Sequence, residues 1–178
     1  MRALGSAAPT FSLTDVVSGG PVASADFTGR PLLAMFICNH CPFVVHVRSG
    51  LVALAHEALE LGVGVIAINA NDTEGYPQDA PGPMADLARA EGWRFPYCFD
   101  ETQAVARAFG AACTPDFFLF DGAHALAYRG QMDGARPGNG VPVTGSDLRA
   151  AIAAVVAGQP VSAEQRPSLG CNIKWRAE

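Results

Sequence analysis

The chain has 178 residues, is 49% hydrophobic and 16% charged, and carries a net charge of −5. That is enough apolar material for one packed domain, too much for a disordered chain, and the wrong sign of charge for a nucleic-acid binder, which needs a basic surface. No apolar run approaches the roughly 20 residues that cross a bilayer, so no membrane partner is expected, and the first residues lack the apolar core of a secretion signal, which predicts a cytoplasmic location.

In chain order, Phe11-Ser12-Leu13 alternates like a short strand, and Gly19-Gly20-Pro21 reads as a turn. Together they predict a short N-terminal β-hairpin. Leu32–Ile37 is an unbroken apolar run, the pattern of a strand buried on both faces. Val44, Val47, Leu51, Leu54, Ala58 and Leu61 then recur at helical spacing, with Gly62 placed to end the helix. Gly64–Asn69 is a second buried strand, so strand, helix and strand predict a parallel pair.

Residues 70–83 form a Gly/Pro-rich loop, and Met84–Glu91 and Gln103–Phe109 read as short helices. Phe117–Phe120 is a third strand, with Ala125–Arg129 as its antiparallel partner. A second Gly/Pro-rich loop spans 131–145. Ser146 then reads as the N-cap of a helix closed by Gly158. The last 20 residues look irregular. The expected boundaries are one domain over 1–160 and a tail, 161–178, folded back onto it. The element order predicts an α/β thioredoxin-like fold, a central mixed sheet with helices on both faces.

Five cysteines are present: Cys38, Cys41, Cys98, Cys113 and Cys171. An odd number in a chain of this size argues against a structural disulfide framework. Cys38-Asn39-His40-Cys41-Pro42 lies between the buried strand and the striped helix. Two sulfurs at that spacing can reach bonding distance. A thiolate at Cys38 would gain from the free N–H groups and dipole of the helix start. His40 is either a positive partner for that thiolate or a solvated loop residue. Asn39, between the two cysteines, is a candidate substrate-binding residue with Thr114 and Pro115. Thr114-Pro115 precedes the third strand and, in this layout, faces the pair. A cis bond there would shape the site, leaving neighbouring backbone free to pair with an extended substrate.

Cys98, within Phe95-Pro96-Tyr97-Cys98-Phe99, reads as a small buried hydrophobe. Cys113 and Cys171 are candidates for a third thiol, against plain packing roles. Resemblance to classical thioredoxins, which carry a buried acid near the second cysteine, implies a proton acceptor for Cys41, and since the strand Leu32–Ile37 carries no carboxylate it must come from elsewhere. Asp72, at the end of the next strand, is one candidate, with a loop cap as the alternative.

Four stretches carry a family resemblance: Ala8–Leu13, Phe36–Phe43, Cys113–Asp121 and Pro167–Trp175. With Asn71-Asp72…Tyr76-Pro77, they resemble the thioredoxin-like superfamily, in its AhpC/TSA redoxin branch and its bacterial peroxiredoxin-like group. The resemblance implies thiol–disulfide redox activity without a cofactor or metal. It implies Cys38 as the attacking thiol, Cys41 as its partner and Pro115 as the cis-proline. A disulfide-bearing protein, a small thiol or a peroxide would be the substrate, with a cellular thiol as reductant. The chain departs from peroxiredoxins, whose peroxidatic cysteine aligns with Cys41. Cys38 stands where they carry Thr or Ser and Ala34 where they carry proline, and Arg107, Arg129 and Arg136 match no arginine motif. Thiol-dependent peroxidase activity is therefore the alternative within the class. Outside it stand a zinc or iron–sulfur module built on Cys38, Cys41, Cys113 and Cys171 or His40, and a redox-inert interaction protein.

Overall fold

The computed structural model describes residues 2–177. Seven strands form one mixed sheet in the order β2 (Pro21–Ala23), β1 (Ser12–Asp15), β5 (Tyr97–Phe99), β4 (Gly64–Asn69), β3 (Leu32–Phe36), β7 (Asp116–Phe120) and β8 (Leu126–Gly130). β3, β4 and β5 run parallel, and β7 is antiparallel to β3, with Met35 opposite Phe117. A separate two-stranded ladder joins β6 (Cys113–Thr114) to β9 (Cys171–Asn172).

Alternation in the central strands explains their unbroken apolar sequences. Leu33 and Met35 face one layer of core, while Leu32, Ala34 and Phe36 face the other. β4 and β7 divide in the same way. α1 (Pro42–Glu60), α2 (Pro81–Ala90) and α4 (Ser146–Val156) contribute to the first layer. α3 (Ala104–Phe109) covers the other, where Phe109 meets Phe11, Phe36, Phe118 and Phe120 at ring-centroid distances of 5.3–6.1 Å. The expected hairpin, the two-faced sheet and the βαβ unit are all present. No helix among the described residues is long and apolar enough to cross a membrane.

Several boundaries differ from the sequence reading for local reasons. α2 begins at Pro81, three residues before the apolar pattern. Its first turn holds Pro81 and Pro83, where the missing N–H groups would have no partner anyway. α4 is capped by Gly145, not Ser146. Gly145 has φ +68°, and Asp133 Oδ2 accepts the N–H groups of Thr144 and Gly145 at 2.7 and 2.6 Å. The tail is more ordered than its composition suggests. Besides β9, Gln131 N–H donates to Arg166 O, Ser168 Oγ to Gly130 O, and Ile173 N–H to Ala112 O. Gln165 and Arg176 add further bonds to Arg129 and Gln103.

Candidate active site

β3 and β4 end side by side, and the loops leaving them meet. Cys38-Asn39-His40 follows β3 as a non-helical turn, and Cys41 is the N-cap of α1, with Pro42 in its first turn. This shifts one sequence expectation: Cys41, not Cys38, sits at the helix start. Pro42 fixes that boundary, and the preceding turn is held off the helix by another loop.

The residue that holds it is Asp79, at the end of a short 3-10 turn, Pro77–Asp79, in the loop after β4. Asp79 is completely buried. Its Oδ1 accepts the Asn39 and His40 backbone N–H groups at 2.8 and 3.3 Å. Its Oδ2 pairs with His40 Nδ1 at 2.5 Å and accepts Asn71 Nδ2 at 2.8 Å. A buried carboxylate is tolerable only when saturated in this way. Asn69 Nδ2 also donates to the Asp79 carbonyl, tying the turn to the end of β4.

Asp79, not Asp72, is the carboxylate that the loop after β4 brings beside Cys38. Asp72 instead accepts the Glu74 N–H, donates its own N–H to Lys174 O and pairs with Arg176 at 3.7 Å. It caps a turn and anchors the tail, and none of its contacts involves a thiol. Asn39 is likewise engaged within the fold: Tyr97 Oη donates to its Oδ1, and its Nδ2 donates to Gln78 O, each at 3.1 Å. Its amide braces the loop and is not left free for a substrate. His40 stacks on Tyr76 at 4.8 Å between centroids, and its Nδ1 is committed to Asp79, with Cys38 Sγ farther off at 3.9 Å.

The two sulfurs are both buried. Cys38 Sγ lies 3.4 Å from Thr114 Oγ1, and Cys41 Sγ lies 3.1 Å from the Thr114 carbonyl, which accepts its proton. Both thus contact Thr114, and each shifts the other's titration. The hydrogen bond from Cys38 pulls Cys41 down to about 4, with help from Cys171 and Thr114 and against burial. That same bond, burial and the Asp79 charge push Cys38 far above the ordinary thiol range. Of the two, Cys41 is therefore the thiol that ionises readily and Cys38 the one that keeps its proton.

The Thr114–Pro115 bond is cis. The expectation that the adjoining backbone is free is corrected: Thr114 pairs with Cys171 and Cys113 with Asn172. Cys113 Sγ turns away toward Pro115 O at 3.7 Å, and burial pushes its thiol up to about 12. Cys98 is fully buried in the aromatic layer and is also raised to about 12 by burial.

The described residues do not gather the four sulfurs of the metal alternative. The metal-competent set they do bring together is Cys38, His40 and Asp79, with ligand atoms within 4.8 Å of one another. His40 Nδ1 and Asp79 Oδ2, at 2.5 Å, are at hydrogen-bond distance. Two ligands of one zinc ion, each bonded at about 2.1 Å, would stand roughly 3.4 Å apart.

The profile of the AhpC/TSA family matches residues 4–129. The chain belongs to the AhpC/TSA family. No curated protein matches it. Among solved structures, an uncharacterized conserved protein from Geobacillus kaustophilus is 50% identical, with a TM-score of 0.97 over 100% of this chain and 95% of its own. A hypothetical protein from Sinorhizobium meliloti is 47% identical, with a TM-score of 0.97 over 100% and 97%. A thiol:disulfide interchange protein of the thioredoxin family from Chlorobium tepidum is 17% identical, with a TM-score of 0.66 over 88% and 99%, a likeness of fold. Within this AhpC/TSA member the family match runs from before β1 into β8 and stops before the tail that supplies Cys171.

Asp79 is the site residue the sequence reading missed. The available signal was its place in the loop leaving β4, beside the strand that delivers the cysteine pair. In α/β sheets such strand ends are where sites form.

Proposed function

We propose that the chain is a thiol–disulfide oxidoreductase that cycles Cys38 and Cys41 between dithiol and disulfide. The observation that carries this reading is the placement of two buried thiols, Cys38 in the turn after β3 and Cys41 at the start of α1, both against Thr114 of the cis Thr114-Pro115 pair. Membership of a thioredoxin-like redoxin family supports the chemistry in its coarser form.

Cys38 makes the first bond. Its neighbours Asn39 and His40 are half-exposed, whereas Cys41 is enclosed by the Thr114 carbonyl and the tail. Cys41, the more readily ionised of the two, takes up the Cys38 proton as the Cys38 sulfur attacks one sulfur of a substrate disulfide. The other substrate sulfur leaves as a thiolate and takes up a proton. Cys41 then loses its proton at the helix start and attacks Cys38, releasing the second substrate thiol. The substrate has gained two electrons and the pair is oxidised. A cellular thiol reductant restores the dithiol.

The test is insulin disulfide reduction and hydrogen peroxide consumption, measured in parallel on the wild type, Cys38→Ser and Cys41→Ser. Loss of insulin reduction in both variants, with a substrate adduct trapped on Cys38 in Cys41→Ser, is the expected result. Peroxide turnover that survives Cys38→Ser and dies in Cys41→Ser would replace this reading with a peroxidase built on Cys41.

A further inference from the structure

The backbone edge beside Pro115 is already occupied, and by this chain. β9 lies antiparallel on β6, placing Cys171 directly opposite Thr114, whose carbonyl touches Cys41. The approach is so close that a Cβ on Gly170 would collide with the Thr114 carbonyl. Cys171 thus stands across the ladder from the residue whose carbonyl holds the Cys41 thiol. Unlike Cys38 and Cys41, Cys171 is only half-buried. An extended strand carrying a cysteine against the redox pair is the arrangement a disulfide substrate would adopt.

We propose that Gly170–Asn172 is a built-in substrate strand and that Cys171 is a third redox thiol, which exchanges with the Cys38–Cys41 disulfide to form a Cys41–Cys171 disulfide. The proposal rests on the oxidoreductase reading and deepens it. In the step, Cys171 gives up its proton and its thiolate attacks the Cys41 sulfur. The Cys41–Cys171 bond forms, the Cys38–Cys41 bond breaks, and Cys38 leaves as a thiolate that accepts the proton. No electrons enter or leave. The outcome frees Cys38 while the chain stays oxidised, and it fastens the tail to the start of α1. An incoming substrate must displace β9 to reach the same edge.

Cys98 and Cys113 are excluded from this exchange by their placement. Cys98 lies in the opposite core layer, and Cys113 points at Pro115 O.

The experiment exposes the full-length reduced chain to oxidised glutathione, quenches in acid, alkylates the remaining thiols and maps linked peptides without reduction. In Cys38→Ser, the expected product is a Cys41–Cys171 link with neither thiol alkylated. In the wild type at limiting oxidant, both Cys38–Cys41 and Cys41–Cys171 linked peptides are expected, the second vanishing in Cys171→Ser. A Cys38→Ser chain that keeps glutathione on Cys41 with Cys171 alkylated overturns the proposal, as does a wild type that forms only the Cys38–Cys41 link. A wild type that never forms the Cys38–Cys41 link strikes the oxidoreductase reading instead, and the Cys38→Ser arm still decides the fate of Cys171.

Discussion

Replacing Asp79 with Asn exchanges one carboxylate oxygen for an NH2 group and separates the loop's anchor from its charge. The retained Oδ1 can still accept the Asn39 and His40 backbone N–H groups. The new NH2 would face two groups that now donate to Oδ2, namely Asn71 Nδ2 and His40 Nδ1. His40 can recover by presenting a bare Nδ1 to the amide, but Asn71 is left donor to donor. A buried hydrogen bond to a charged group contributes about 1.5–3 kcal/mol, so the loss of one, with the carboxylate itself, should cost about 2–3 kcal/mol of stability. The same substitution removes the negative charge that helps hold the Cys38 proton. Its removal lowers the barrier to forming a thiolate there, so alkylation of Cys38 should begin at lower pH than in the wild type. Urea unfolding and a pH series of iodoacetamide labelling read the two effects. Asp72→Asn, at a partly exposed turn, is the comparison and should stay within about 0.5 kcal/mol of wild type. A stability loss in Asp79→Asn no larger than in Asp72→Asn, or labelling that starts at higher pH, would refute the reasoning.

Other expectations concern the tail and a second buried acid. Burial raises Asp116 to about 6 from its ordinary 3.8. A folded value above the unfolded one gives stability that is complete below the unfolded value and lost as pH rises through the folded one. The wild type should therefore lose up to about 3 kcal/mol between roughly pH 4 and 6 from this group, and urea midpoints should show a flatter profile in Asp116→Asn. Ile173 is buried beside β9. Ile173→Ala should loosen the tail by about 2–4 kcal/mol, seen as faster amide exchange over residues 171–174 and faster insulin reduction. Unchanged exchange would show that Ile173 is not its anchor. Gly170→Ala should unseat β9 through the clash with Thr114, raising Cys171 alkylation about tenfold for each 1.4 kcal/mol of lost docking. Alkylation at the wild-type rate would mean the ladder had simply shifted.

The parts of the fold legible in the sequence were those whose burial is written in continuous runs. Leu32–Phe36, Gly64–Asn69 and Asp116–Phe120 meet core on both faces, and no loop composition imitates them. β5 escaped because it is three residues long and follows Pro96, and its Tyr97 and Cys98 serve opposite faces of the sheet. β9 escaped because two residues carry no periodicity at all; only its tertiary pairing defines it. The cysteine motif and Thr114-Pro115 stood out because spacing and position along the chain are sequence properties. Asp79 did not, because its meaning lies in four hydrogen bonds to residues 8, 39 and 40 positions away. Asp72 attracted attention by its nearness to the strand end, but the loop doubles back and delivers the other aspartate.

One feature outside the sulfurs turns the molecule into its own indicator. Lys174 Nζ stands 5.5 Å from the Tyr76 ring centre, and the His40 imidazole stacks on the same ring. A cation from the C-terminal segment, an aromatic plate and the imidazole thus form a chain of contacts in which the middle member feels both ends. The carbon-bound protons of His40 lie in the magnetic shadow of Tyr76. Their resonances should therefore move whenever the segment carrying Lys174 lifts, letting tail opening be followed in solution by proton NMR without any label near the cysteines.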